Sequence, residues 1–409
     1  MTTASPRTLA QPAFPEFITA MALTMSLVAL AIDTMLPAHG LIGEAFAVAD
    51  VNDTQYMVYM LFLGLAFGQL LFGPLADCIG RKRAIYIGLG LFATGTLVSL
   101  AAETYAVMLA GRLIQGVGVA GPRVIAVAVV RDLFSGRQMA RVMSFVITLF
   151  ILVPAVAPAL GQLIINLSGW RSIFWVYFAL AAVILAWFAL RQPETLRPED
   201  RQPLTPGVIG GNFMTVVRTR VALGYLAAAG LISGAFVGFL GTAQQILQQL
   251  YGLGDKFPAY FALLALSVGT STLINGRIVV KIGMRPLAKA AAFGITAVAA
   301  VLLVAALMTN GQPTLPVLMA CLMGMFLCIG FLFGNLNALA MEPLGHIAGT
   351  AAAVIGALTT LISAVLGAFA GALYDETVIP LAGSFVVLGL ATAATILVTD
   401  TGEPAAAAA

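Results

Sequence analysis

Three ionisable side chains interrupt sequence that is otherwise apolar. Asp33 lies in "VALAIDTMLPA" (28–38), and Arg112 and Arg123 in "GRLIQGVGVAGPRVIAV" (111–127). An ionisable residue inside an apolar run is a functional candidate by default. Asp33 is the only carboxylate well inside any such run. Low dielectric favours the neutral form of a carboxylate, and a nearby guanidinium favours the charged one. A site whose proton affinity depends on how close Arg112 sits can load on one side and release on the other. A fixed Asp33–Arg112 pair that only ties two helices is the alternative, and Asp33 facing outer water is a third. Arg123 follows Arg112 by eleven residues, about 16 Å along a helix and almost three whole turns. The two arginines are therefore expected on one face, with Gly116 and Val119 between them as a groove charged at both ends.

The elements that must hold these groups follow from composition. The 409 residues are 61% hydrophobic and 9% charged, with mean hydropathy +1.02. Soluble domains are about one-quarter charged, so the expected solvent is lipid. Twelve apolar runs lie near 17–37, 52–76, 84–102, 105–130, 140–166, 172–190, 221–250, 257–277, 286–308, 314–341, 349–373 and 378–399. Each suffices for a spanning helix of about 20 residues. Runs of this length are not barrel strands. The expected fold class is an all-α integral membrane protein with twelve transmembrane helices in two six-helix halves. No cleavable signal peptide stands out.

Cations alternate by side. One side holds Arg7, Arg81, Lys82, Arg83, Arg131, Arg137, Arg141, Arg191, Arg197, Arg201, Arg218, Arg220, Arg277, Lys281, Arg285 and Lys289, and the other only Arg171 and Lys256. The positive-inside rule then places both termini in the cytoplasm. The net charge of +3 follows from this topology and carries no nucleic-acid signal. Cys321 and Cys328 are two turns apart on one helix, too far to bridge, and Cys78 faces the reducing side.

Residues 191–220, with Pro193, Pro198, Pro203 and Pro206, form the longest polar stretch. They divide an N-terminal half (1–190) from a C-terminal half (221–400), and 401–409 reads as a disordered tail. "GPLADCIGRKR" (73–83) aligns without gaps on "GRIVVKIGMRP" (276–286), each between the second and third run of its half. Parallel repeats of this kind are a recurrent transporter plan, with the substrate site between the halves.

The first of those stretches resembles the signature loop of the major facilitator superfamily. "GRLIQGVGVAG" (111–121) resembles that family's motif in the fourth helix, and "APALG" (157–161) part of its antiporter motif in the fifth. "IDTMLPA" (32–38), "VVRDLF" (129–134) and "ALAMEPLGHIAGTA" (338–351) are similar to the drug:proton antiporter branch, and within it to the Bcr/CflA (bicyclomycin/chloramphenicol-resistance) group. The resemblance spans the whole chain. Cys78 stands where the family loop carries a cation, and Gln162 where the antiporter motif carries a second glycine. The resemblance implies that the first and fourth helices are neighbours, which the Asp33–Arg112 idea requires. It also implies a latch of Gly73, Asp77, Gly80, Arg81, Lys82 and Asp132. In that latch Asp77 bonds the start of the eleventh helix near Gly349 and Thr350, Arg81 pairs with Asp132, and the cluster clamps the halves when the cavity faces outward.

Read from the residues alone, the charged turn is open to two accounts. A two-residue turn needs glycine to hold its helices close, and its cations fix topology. Asp77 can also favour a helix N-terminus, which makes the turn a contact as well as an anchor. Pro154, Pro158 and Gly161 mark the fifth helix, where a kink fits it against the other half or only accommodates packing. The cavity candidates are Arg123, Gln115, Tyr59, Phe236, Gln245, Phe331, Asn335 and Asn337, joined by Gln244. Amides in membrane helices also bond neighbouring helices, so each is open to a packing role. The set suits a neutral, amphipathic, partly aromatic substrate. His39 and His346 have no companions at ligand spacing, so no metal is expected, and no cofactor other than the proton as coupling ion. "GLGLFATG" (88–95) reads as packing glycine. The expected protein is no enzyme. It is a monomeric proton-coupled antiporter in the bacterial inner membrane, exporting chloramphenicol- or bicyclomycin-like drugs, with a small molecule and the bilayer as partners. A proton-coupled importer or metabolite exporter on the same fold is the alternative.

Overall fold

The computed structural model describes residues 12–203 and 206–401. Arg7, residues 204–205 of the linker and residues 402–409 of the tail lie outside the described residues, as does the side chain of His346.

The described residues are mostly helical, with short connections between helices. α1 (Phe14–Asp33) and α2 (His39–Ala45) are joined by a 3-10 turn at Leu36–Ala38 and together make one span. A 3-10 turn, Val51–Gln55, leads into α3 (Tyr56–Ile79). Next come α4 (Arg81–Leu100), α5 (Tyr105–Leu133), α6 (Gly136–Ser168) and α7 (Ser172–Leu190). The linker holds α8 (Pro206–Arg218). The second half is α9 (Arg220–Gln244), which continues as a π-helical turn, then α10 (Phe257–Ile282), α11 (Met284–Met308), α12 (Leu315–Met341), α13 (Ala348–Ala372) and α14 (Ile379–Thr401). Among the described residues, twelve helices are long and apolar enough to cross a membrane, and each falls on one of the apolar runs.

These helices are apolar outside as well as inside. Leu190, Val280 and Met308 are each at least 80% exposed, a surface suited to lipid. Within each half the helices approach through small residues, as expected where lipid removes the hydrophobic drive between helices. A Cβ at Gly64 or Gly116 would strike the α5 or α3 backbone, and one at Gly118 would strike α4. Gly230, Gly234 and Gly238 give α9 the same intimacy with α13. The halves meet along α3 with α13 and along α6 with α10.

The internal repeat is visible in the backbone. Gly80 joins α3 to α4 at φ 97°, ψ 157°, and Gly283 joins α10 to α11 at φ 89°, ψ 159°. The expected two-residue turn is thus a single residue, in a region that favours glycine. Two residues of the linker, Glu194 and Gln202, dock on this turn. The Glu194 carboxylate accepts from the backbone N–H groups of Arg81 (2.9 Å) and Lys82 (3.1 Å) at the start of α4. The Gln202 N–H donates to the Asp77 carbonyl at 3.0 Å. The face bearing this linker is called the linker face below.

Candidate functional site

A cleft runs between the halves from mid-protein toward the linker face. Its deeper section, about 250 Å³, is lined by Phe62, Gln69 and Arg123 of the first half and by Phe236, Phe333, Asn337, Thr359 and Thr360 of the second. Its linker-side section, about 330 Å³, shares Gln69, Arg123, Asn337 and Gly356 and adds Asp77, Arg81, Arg131, Gly349 and Ala353. Gln69 spans the cleft, donating from Nε2 to Thr360 Oγ1 at 3.2 Å. Arg123 follows Pro122, which lies within α5 and has no N–H to offer the preceding turn. Its side chain is half-buried and turned to the cleft. Among the described residues, no hydrogen bond or ion pair reaches its guanidinium.

On the opposite face the halves are tied by amides. Gln55 Nε2 donates to Gln245 Oε1 at 2.6 Å, Gln245 Nε2 to Asn52 Oδ1 at 3.0 Å, and Asn52 Nδ2 to the Tyr374 carbonyl at 2.8 Å. Tyr59 donates to Gln55 Oε1 at 2.9 Å and lies against Gly241 and Gly371, where a Cβ would collide with it. Gln162, on α6, donates to Asp255 at 3.1 Å across the same face. Beyond this seal is a vestibule of about 760 Å³ lined by Asp50, Asn52, Gln249, Asp375 and Glu376. The path is therefore open to the linker face and shut on the other.

A third group is buried inside the first half. Arg112 is fully buried and bonds three neutral acceptors: the Met57 carbonyl from Nε (3.1 Å), the Ala31 carbonyl from Nη2 (2.9 Å) and Gln115 Oε1 from Nη1 (2.9 Å). Gln115 passes the chain on to Thr96 Oγ1 at 2.8 Å. Tyr177 Oη donates to the Leu30 carbonyl at 3.1 Å. Asp33 ends α1 and is 5% exposed. Its carboxylate has no hydrogen bond or ion pair among the described residues. His39 is 1% exposed, and neither of its ring nitrogens has a partner.

Several expectations are corrected here. Arg112 does reach α1, but it pins backbone carbonyls and does not pair with Asp33. The groove between Arg112 and Arg123 is absent: Gly116 lies on the Leu61 carbonyl and Val119 is fully buried. The two arginines serve different compartments. Arg81 does bond Asp132, at 2.8 Å. Asp77, however, pairs with Arg81 at 2.5 Å and does not bond the start of α13. The linker-side cleft separates them, and Arg131 is the charge closest to Gly349. Lys82 Nζ donates to the Ala189 carbonyl at 3.0 Å. Gly73 lies across from Ala353.

Of the cavity candidates, Arg123, Phe236 and Asn337 line the cleft. Tyr59 and Gln245 belong to the opposite-face seal. Asn335 bonds Asn275 Oδ1 and the Phe331 carbonyl, both at 2.8 Å, inside the second half. Pro154 and Pro158 lie within an unbroken α6, and Gly161 lets that helix approach the Thr34 carbonyl, next to Asp33. Glu342 lies in the 3-10 turn after α12, with Arg285 at 3.6 Å.

The family profile described as Major Facilitator Superfamily matches residues 14–368. The chain belongs to that superfamily. Its members are transporters, not enzymes. A bicyclomycin resistance protein homolog of Haemophilus influenzae is 30% identical over 369 residues, covering 89% of this chain and 91% of its own. The multidrug resistance protein MdtL of Salmonella schwarzengrund is 29% identical over 245 residues, 58% of this chain and 60% of its own. The xylose transporter XylE of Escherichia coli, in a partially occluded inward-open conformation, superposes with a TM-score of 0.71 at 15% identity, over 96% of this chain and 99% of that one. It shares the fold.

Asn52, Gln55, Gln69, Tyr374 and Glu194 escaped the sequence reading. Nothing distinguishes these amides, the Glu194 carboxylate or the Tyr374 backbone carbonyl from others until the helices are paired. Asn52 and Gln55 do stand three apart at the start of a span, on one helical face, which was the available signal.

Proposed function

We propose that the chain is a proton-coupled antiporter that exports small amphipathic drugs by alternating access, with the linker face and both termini in the cytoplasm of a bacterial cell. The observation that supports this most is the cleft between the halves, entered from the linker face and sealed opposite by Asn52, Gln55, Gln245 and Tyr374. A drug enters from the cytoplasm and lies among Phe62, Phe236 and Phe333. Export needs the amide seal to open and the cleft to close at Asp77, Arg131 and Gly349, where Asp77 regains access to the N-terminus of α13 and its positive dipole end. The cation bias toward the linker face supports the orientation. The printed names of the bicyclomycin resistance homolog and of MdtL support drug efflux.

Asp33 is the proposed proton site. A buried charge without a partner is expensive, and a proton removes it. Rearrangement around Arg112 and Gly161 during the cycle would change what surrounds that carboxylate and release the proton. Neither a metal nor a cofactor enters the scheme, and a monomer suffices because each chain supplies both halves of the cleft.

The test is uphill drug transport in everted membrane vesicles under an imposed pH gradient, with a chloramphenicol, bicyclomycin and sulfonamide panel. Drug uptake that collapses with the gradient supports the proposal. Uptake indifferent to the gradient rejects proton coupling, and no uptake of any panel member rejects drug export.

A further inference from the structure

Arg123 is a guanidinium with no hydrogen-bond or ion-pair partner among the described residues, at the heart of the cleft. A charge inside a membrane protein normally pairs with another charge or with carbonyls, as Arg112 does with Met57, Ala31 and Gln115. Arg123 has neither, yet its surface faces the space where substrate must pass. No carboxylate lines the deeper section. The one carboxylate lining the linker-side section, Asp77, is held by Arg81. Arg131 adds a second cation there. Among the described residues, the deeper section thus holds a cation and no lining carboxylate to balance it.

Three rings surround the same space. Phe236 stands edge-on to Phe333 with centroids 5.6 Å apart, and Phe62 faces them from the first half. Thr359 Oγ1 lines the deeper section, buried and without a partner. A planar fork of N–H donors beside aromatic walls matches a flat oxyanion carried on an aromatic body, because guanidinium–carboxylate pairs are bidentate and strengthened by low dielectric.

We propose that the cleft selects aromatic organic acids in their anionic form, with the carboxylate or an equivalent oxyanion on Arg123 and the body among Phe62, Phe236 and Phe333. This names the substrate class of the export reading and rests on it. The neutral class expected from the second half alone leaves Arg123 unexplained. A membrane potential negative inside also drives an anion outward, so such a substrate is one that export favours.

The purified full-length protein is titrated calorimetrically at pH 7.5 with biphenyl-4-carboxylate and with its neutral isostere biphenyl-4-carboxamide. The acid is expected to bind at least tenfold more tightly. Arg123→Gln should bring the two within about twofold, chiefly by weakening the acid, and an unfolding temperature in detergent close to that of the wild type shows that the variant is folded. Arg123→Lys should keep part of the preference. Equal binding of the pair by the wild type overturns the proposal, as does a preference that survives Arg123→Gln. If Arg123→Gln cannot be purified, salt decides: the acid preference of the wild type must weaken from 20 to 500 mM NaCl, and a salt-independent preference overturns it. Acid preference without vesicle transport would sink the export reading alone. Export of neutral drugs with no acid preference would sink this one alone.

Discussion

Arg112 donates from Nη2 to the carbonyl oxygen of Ala31 at 2.9 Å, two residues short of Asp33, and makes no ion pair with that carboxylate. The contact joins α5 to α1 through backbone, so it persists whatever the protonation of Asp33. The two residues are neighbours in a buried polar group rather than partners. Two consequences are open to measurement.

Asp33→Asn should abolish drug accumulation against a gradient in everted vesicles, a loss of at least tenfold, because Asn cannot carry the proton. Asp33→Glu should retain part of it. Because no bond to Asp33 is broken, the Asn variant should unfold in detergent at the wild-type temperature or above it. Adding substrate to solubilised wild type should release protons, and the Asn variant should release none. Wild-type uphill transport by Asp33→Asn would place coupling elsewhere. Glu342, facing Arg285 in a surface turn, would then be the next carboxylate to test.

Arg112→Gln should destabilise the protein. Two of its three hydrogen bonds go to carbonyls that would be left buried, and hydrogen bonds to charged groups contribute about 1.5–3 kcal/mol each. A loss of at least 3 kcal/mol in detergent unfolding is expected. Combined with Asp33→Asn, the effects should add to within about 0.5 kcal/mol, as for side chains with no direct pair. A coupling energy above 1 kcal/mol would mean that the carboxylate and guanidinium do pair.

Glu194 accepts the first backbone N–H groups of α4, the task of an N-cap performed by a residue far along the chain. Glu194→Ala should cost about 1–2 kcal/mol and speed proteolysis of residues 191–203. Asp77→Asn keeps the Glu194 contact and the topology cations but weakens the tie to Arg81. It should insert normally and transport poorly. Normal export by a correctly inserted Asp77→Asn would confine the turn to fixing topology.

The twelve spans were legible because lipid demands long apolar helices, and the two equivalent turns because only glycine suits the backbone at positions 80 and 283. The Arg81–Asp132 pair followed from the motif. Arg112's true partners did not, because backbone carbonyls carry no signature in sequence. Periodicity on one helix places Gly116 and Val119 in a groove, whereas the α3 backbone fills the space at Gly116. α8 was hidden by Pro206 and its three glycines, and its place is set by contact with α13, including Asn212 Nδ2 to Thr350 Oγ1 at 3.3 Å. Among the amides, sequence cannot separate Gln245 in the seal from Asn337 in the cleft, because both lie on apolar helices and differ only in depth.

Gly371→Ala should shift the resting state of the protein. At Gly371 an added Cβ would overlap both Tyr59 Oη and Gln55 Oε1, the side chains that hold the opposite-face seal through Gln245. The helix around position 371 tolerates alanine in itself, since alanine is the better helix former. The strain therefore falls on the seal, and the cheapest relief is for α13 to part from α3 on that face. In a cysteine-free background in whole cells, Ser233→Cys in the deeper section of the cleft should react with a membrane-impermeant maleimide several-fold faster in the Gly371→Ala variant than without it. Excess substrate should change that rate, because substrate engages the cleft between the same two helices. An unchanged labelling rate would show that Tyr59 yields locally and that the seal does not depend on this contact.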